Sequence, residues 1–165
     1  MKASGIGLAA LLGALLTAGA VAAPGKGPVT GFDMPRYVSL KTDRANVRRG
    51  PALEHRVDWE FLRRDMPLRV VAEHGSWRRV QDMDDVAGWV HSALLSGTRT
   101  VIVIADSLLR KDPDAASQPV ARIEQGVILR LKACRPLWCL LDKDNHEGWM
   151  PKADIWGVDA DEVFQ

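Results

Sequence analysis

The sequence predicts an all-β protein, two tandem copies of a small closed barrel behind a cleavable leader. Three observations predict it. The chain after residue 36 repeats its own pattern once, with matching residues 60 to 62 positions apart. Its apolar residues fall in short alternating runs between Gly, Pro and Asp turn signals. No stretch after the leader keeps a helical period over three turns.

The leader comes first. Lys2 precedes an apolar, Ala- and Leu-rich stretch from Ile6 to about Ala22. Ala20-Val21-Ala22 then offers small side chains at the first and third positions before a cut, the pattern that signal peptidase reads. We place the cut after Ala22, because a cut after Ala23 would set Pro24 directly behind the scissile bond. The stretch is short for a spanning helix, which needs about 20 apolar residues, although an uncleaved anchor is the alternative. No Cys stands at its end to carry a lipid. Residues 1–22 thus read as a signal peptide, and the expected location is periplasmic or secreted, with no stable membrane insertion after cleavage. Residues 23–36 are rich in Gly and Pro and read as a flexible linker.

The whole chain carries a formal charge of +1, and Lys2 is the one charged residue of the leader, so the remainder is neutral. A neutral chain has no general pull toward nucleic acid or anionic lipid, and no nucleic-acid partner is expected. Six Trp against one Tyr and three Phe put much of the core and surface chemistry on a few flat rings.

The repeat sets the domain boundaries. Arg48-Arg49-Gly50-Pro51 is echoed by Arg110-Lys111-Asp112-Pro113, and Leu68-Arg69-Val70 by Leu129-Arg130-Leu131. Trp77 is echoed by Trp138, Gly88-Trp89-Val90 by Gly148-Trp149-Met150, and Ala93 and Gly97 by Ala153 and Gly157. A period this long exceeds that of solenoid repeats and indicates two domains. We set them at 37–97 and 98–158, held against each other by a short join, with an acidic, loose tail at 159–165. Within each unit, Val57 to Phe61 alternates with period two, and Leu68, Val70 and Ala72 face one way with Arg69 and Glu73 the other. Thr100 to Ile104 is β-branched and suits a buried strand. Closing five or so such strands into a barrel removes edges that a tiny sheet cannot protect.

With these residues in place a resemblance can be stated. Asn46-Val47-Arg48-Arg49-Gly50-Pro51, a strand, Trp77 followed by Val80, and then Gly88-Trp89-Val90 resembles the bacterial SH3 (SH3b) family. The run from Ala87 to Gly97 is similar to a two-domain, exported SH3-like subgroup. The second unit has Ser107-Leu108-Leu109 where Asn-Val is expected, so the resemblance implies its barrel more firmly than a shared ligand site. SH3-like barrels host many functions. The resemblance implies binding of cell-wall peptide, glycan or protein partners, usually without catalysis.

Cys134 and Cys139 frame Arg-Pro-Leu-Trp, a four-residue turn whose flanking strands would bring their Cβ atoms close. An exported protein meets an oxidising compartment, and only one internal pairing exists. The small loop would gain about 2 kcal/mol from a disulfide. Two buried free thiols are the alternative. A zinc site would have to recruit His146 and a carboxylate, and no zinc-finger spacing is present. The resembled subgroup carries a similar pair in its second unit, which implies the disulfide.

Alternation separates the tryptophans. Trp59 lies with Val57 and Phe61 and is expected in the core, as are Trp89 and Trp149, which follow Gly. Trp77 lies with Arg79 and Gln81, opposite Val80, and is expected part-exposed at the edge of a peptide groove. Arg78 and Arg79 stand beside it, and Arg suits bidentate recognition of carboxylates. Trp77, Arg78 and Arg79 are therefore the candidate ligand residues. The plainer alternatives are a Trp that only covers the barrel end and a solvated mixed-charge surface.

The four His fall in different segments, and neither G-x-S-x-G nor H-E-x-x-H occurs. The acidic runs at 82–85 and 142–145 sit at matching turns and lack the twelve-residue calcium loop. No catalytic residue, metal or cofactor is expected. Taken with what the resemblance implies, the expected function is that of a non-catalytic envelope binding or scaffold protein that recognises peptidoglycan. The alternative is a module docking a peptide of another envelope protein, and a cell-wall hydrolase is the third.

Overall fold

A computed structural model describes residues 25–165. The leader and its cleavage site lie outside the described residues. The described residues begin with a short hairpin, β1 (Gly25–Lys26) and β2 (Asp33–Met34). The first barrel follows as β3 (Arg36–Leu40), β4 (Ala45–Arg48), β5 (Val57–Phe61), β6 (Pro67–His74), β7 (Trp77–Gln81) and β8 (Ala87–His91). A 3-10 turn at Ser92–Leu94 leads into β9 (Leu95–Ser96). The second barrel comprises β10 (Thr100–Val103), β11 (Ser107–Arg110), β12 (Pro119–Ile123), β13 (Ile128–Cys134), β14 (Trp138–Lys143) and β15 (His146–Pro151). A 3-10 turn at Lys152–Asp154 and β16 (Ile155–Trp156) end it.

The strand order is β5-β4-β8-β7-β6-β3-β9 in the first sheet and β12-β11-β15-β14-β13-β10-β16 in the second. The two orders match strand for strand, so the sequence repeat is a structural one. Each sheet wraps its own core. Leu40, Val47, Leu68, Val70, Val80 and Val90 are fully buried in the first, and Val101, Leu109, Leu129, Leu141 and Met150 in the second. The Gly of each Gly-Trp pair is required where two strands cross. A Cβ at Gly88 would overlap Val47 Cγ1, and one at Gly148 would lie 2.9 Å from Leu109 Cβ. Gly88 and Val90 face inward, which turns Trp89 to the half-buried outer face. Trp149 is half-buried likewise, beneath the Arg135 guanidinium at 4.7 Å. Neither ring is in the core as expected.

A second correction concerns β6. Its pairing with β7 shifts between Val70 and Ala72, a bulge that inserts one residue and reverses the alternation. Glu73 therefore points inward with Val70 instead of outward with Arg69, and its side chain is fully buried. The second barrel has the matching shift between Leu131 and Ala133, which turns Cys134 inward.

The buried Glu73 also explains why residues 25–36 are not the flexible linker their composition suggests. Its carboxylate accepts from Thr30 Oγ1 at 2.7 Å, from the Thr30 and Val29 amides at 3.0 and 3.1 Å, and from Arg36 Nη2 at 2.9 Å. Met34 adds an apolar contact to the first core. The tail, expected to be loose, is held too. Phe164 exchanges both backbone hydrogen bonds with Cys134, at 2.8 and 3.1 Å. Glu162 takes two hydrogen bonds from Arg99, at 2.7 and 3.0 Å.

The barrels meet around a single tyrosine. Tyr37 of β3 stands edge-on to Trp156 of β16, with ring centroids 5.4 Å apart. The Arg99 guanidinium lies 5.4 Å from the same Tyr ring. Thr100, almost fully buried, donates through Oγ1 to Asp65 O at 2.7 Å. Gly157, at φ +121°, lets the end of the second barrel approach the first, where a Cβ would meet Thr100 O at 2.7 Å and Pro67 Cβ at 3.3 Å.

Candidate ligand groove

The first barrel carries a groove of about 290 Å3 lined by Arg44, Ala45, Asn46, Arg48, Leu53, Trp77, His91 and Leu94. Three segments build it. β4 brings Ala45, Asn46 and Arg48, and it lies beside β8 through the Arg48 and Trp89 pairing. β7 and β8 pair Trp77 directly with His91, and their rings meet edge to face at 5.3 Å. The loop from 49 to 56 folds back over the groove and presents Leu53, 70% exposed.

Arg48 holds that loop. Its Nη1 donates to Leu53 O at 2.8 Å and to His55 O at 2.7 Å. Both acceptors are neutral carbonyls, so the loop uses the donor geometry of Arg48 without neutralising its charge. Arg110 does the same in the second barrel, donating to Ser117 O at 2.7 Å. His91 accepts the Ala93 amide on Nδ1 at 3.2 Å, which puts the hydrogen of the neutral ring on Nε2. Arg44 lies 3.7 Å from Glu60, and both side chains are substantially exposed, so this pair holds Arg44 weakly. The groove thus combines apolar surface from Trp77, Leu53 and Leu94 with two arginines and an imidazole. Such a surface suits an extended chain bearing a carboxylate.

Of the three residues nominated from sequence, Trp77 alone lines this groove. It is half-buried, as its strand position predicts. Arg78 is a correction, because alternation along β7 turns it inward and leaves it 8% exposed. Its Nη1 donates to Gly75 O and Trp77 O, both at 2.8 Å, and its Nε lies 3.4 Å from Glu73 Oε1. Arg79 is exposed on the outer face opposite Trp89 and does not line the groove. The basic groups that do line it are Arg44, Arg48 and His91. Two had a signal in the sequence. Arg48 belongs to the Asn-Val-Arg run, and His91 directly follows Gly-Trp-Val.

Cys134 and Cys139 form the expected disulfide, with Cα atoms 4.1 Å apart at directly paired positions of β13 and β14. The acidic turn at 82–85 satisfies itself, since Asp82 Oδ1 accepts the Asp84 and Val86 amides at 3.0 Å each.

Three solved structures are similar to parts of the chain. NlpC2 from Trichomonas vaginalis aligns at a TM-score of 0.35 and 10% identity, covering 74% of this chain and 48% of that one. NlpC1 from the same organism aligns at 0.35 and 9%, covering 79% and 48%. An NlpC/P60 family protein from Bacillus cereus aligns at 0.34 and 12%, covering 73% and 55%. The chain thus spans about half the length of these structures. No curated protein matches it. The bacterial SH3 domain matches the chain twice, over residues 41–97 and 106–157, one match on each barrel, and the protein belongs to that family.

Proposed function

We propose that this is an exported envelope protein that binds cell-wall material, without catalysis of its own, and that the Trp77 groove of the first barrel holds the ligand. The family supports the coarse reading, because bacterial SH3 domains commonly bind the cell wall. The groove itself carries the finer one. The half-buried Trp77 indole shares the groove with Arg44, Arg48 and His91, with no acidic side chain among the lining residues. Peptidoglycan stem peptides are extended and carry carboxylates, which matches an aromatic surface beside cationic groups. The test is co-sedimentation of the purified protein with isolated sacculi. The wild type should pellet with them, and Trp77→Ala should weaken the association about tenfold, the loss expected for a central aromatic anchor.

A further inference from the structure

The second barrel repeats the groove and inverts its charge. A groove of about 310 Å3 is lined by Trp138, Pro151 and the strand residues of β11. Its walls stand at the positions equivalent to those of the first groove, and the matching sheet orders fix the correspondence. Trp138 stands for Trp77, and Arg110 for Arg48. Asp106 replaces Arg44, and Asp154 replaces Leu94. These last two exchanges move the rim by three unit charges toward negative.

The two carboxylates differ in how they are held. Asp106 accepts the Gln125 amide at 2.9 Å and pairs with Arg122 at 3.1 Å, and these contacts favour its ionised form. Asp154 Oδ2 accepts only the neutral Ser107 hydroxyl, at 2.6 Å, and no salt bridge reaches it among the described residues. Arg110 is the one cation lining the groove, and its bond to the neutral Ser117 carbonyl leaves its charge in place, so Asp106, Asp154 and Arg110 together give the lining one net negative charge where the first groove has two positive arginines.

A second cavity adjoins the first. About 520 Å3 of largely apolar space lies against Pro136, Leu137 and Val158, and Trp138 and Pro151 wall both cavities. Leu137 is 74% exposed at the hairpin tip. Lys152 also lines this pocket, but its ammonium is directed onto main-chain oxygens of the tail, including Ala160 O at 3.0 Å. The first barrel has no counterpart to this apolar tip, because the equivalent turn is Gly75-Ser76.

We propose that the second barrel is a separate binding site for an extended peptide carrying a primary ammonium group beside an apolar side chain. The ammonium sits against Asp154, whose carboxylate has no cationic partner among the described residues, and packs on the face of the Trp138 ring that lines the same groove. The apolar side chain occupies the Pro136, Leu137 and Val158 pocket. Charge complementarity selects this occupant over the acidic one suited to the first groove. The site does not depend on the cell-wall reading of Trp77, and its test leaves Trp77 intact.

The probe is acetyl-Leu-Lys-Leu-amide, titrated into the purified 15N-labelled protein, with acetyl-Leu-Glu-Leu-amide in parallel. The Lys peptide should move the Trp138 indole signal and the Leu137 and Asp154 amides in a saturable way, and leave the Trp77 indole unmoved. Asp154→Asn should weaken this binding about fivefold while the amide spectrum stays folded. Equal response to the Glu peptide would overturn the proposal. So would shifts centred on Trp77, no saturable shift at Trp138, or an unchanged affinity in the folded Asp154→Asn variant.

Discussion

Glu73 and Cys134 occupy the same position in the two barrels. Glu73 faces Arg78 across β6 and β7, and Cys134 faces Cys139 at the matching pair of β13 and β14. Both are turned inward by the same bulge. One barrel fills this inner site with an ion pair and the other with a covalent bond. Each site also anchors a segment that flanks its barrel. Glu73 holds the N-terminal hairpin by its carboxylate, and Cys134 holds the C-terminal tail by its backbone.

The Glu73 anchor is acid-sensitive. Burial alone raises its pKa, but hydrogen bonds from the Thr30 hydroxyl, the Thr30 and Val29 amides and Arg36 outweigh this and hold it at about 2, against 4.5 for the free group. A depressed carboxyl pKa stabilises the fold above the unfolded value and loses that stability as pH falls through the folded one. Exchange protection of the Val29 and Thr30 amides should hold at neutral pH and disappear between about pH 4.5 and 2. Glu73→Gln should lower protection at neutral pH, remove most of its dependence on pH between about 4.5 and 2, and reduce stability at neutral pH by roughly 2 kcal/mol. Protection unchanged down to pH 2 would contradict this anchor.

The disulfide closes a small loop, so reducing it should destabilise the second barrel by about 2 kcal/mol. The tail should loosen with it, because Phe164 pairs with Cys134. The first barrel has its own core and no cysteine. Denaturant melts followed by residue-resolved NMR, with and without reductant, should show the second barrel shifting to lower denaturant while the Trp77 indole keeps its transition.

Tyr37 is the one tyrosine of the chain, which makes it a reporter of the join between barrels. Burial and then Asp159 raise its pKa above 10.0, with Arg69 and Arg99 pulling the other way. An acid whose folded pKa is raised adds stability below its unfolded value and loses it as pH climbs further. Absorbance titration of the phenol should give a midpoint above 10.0 in the wild type. Trp156→Ala removes the ring packed against it and should move the midpoint back toward 10.0.

The strands and the two-domain plan were legible because the repeated residues are those that geometry requires. Gly88 and Gly148 sit where strands cross, and Trp77 and Trp138 at equivalent positions. The disulfide was legible because two cysteines allow one pairing. What alternation alone missed follows from single-residue events. The bulge after Val70 reversed the direction of Glu73, and with it the docking of a segment whose Gly and Pro resemble a linker. Arg78 is a different case, since plain alternation along β7 already puts it inside with Val80, and its adjacency to Trp77 in the chain is no guide to its direction. The rim of the groove escaped because Arg44, just before β4, and Arg48, at its end, meet His91, at the end of β8, only through the sheet order that sets β4 beside β8.

The Trp77 groove is the surface proposed to meet the cell wall. Its most direct test is sacculus co-sedimentation of wild type, Trp77→Ala and the Arg44→Glu, Arg48→Glu pair, with folding of each checked by the dispersion of its NMR spectrum. Folded variants that lose association while wild type pellets with the sacculi are the result expected. Wild type that stays in the supernatant, or folded variants that pellet as well as wild type, would contradict it.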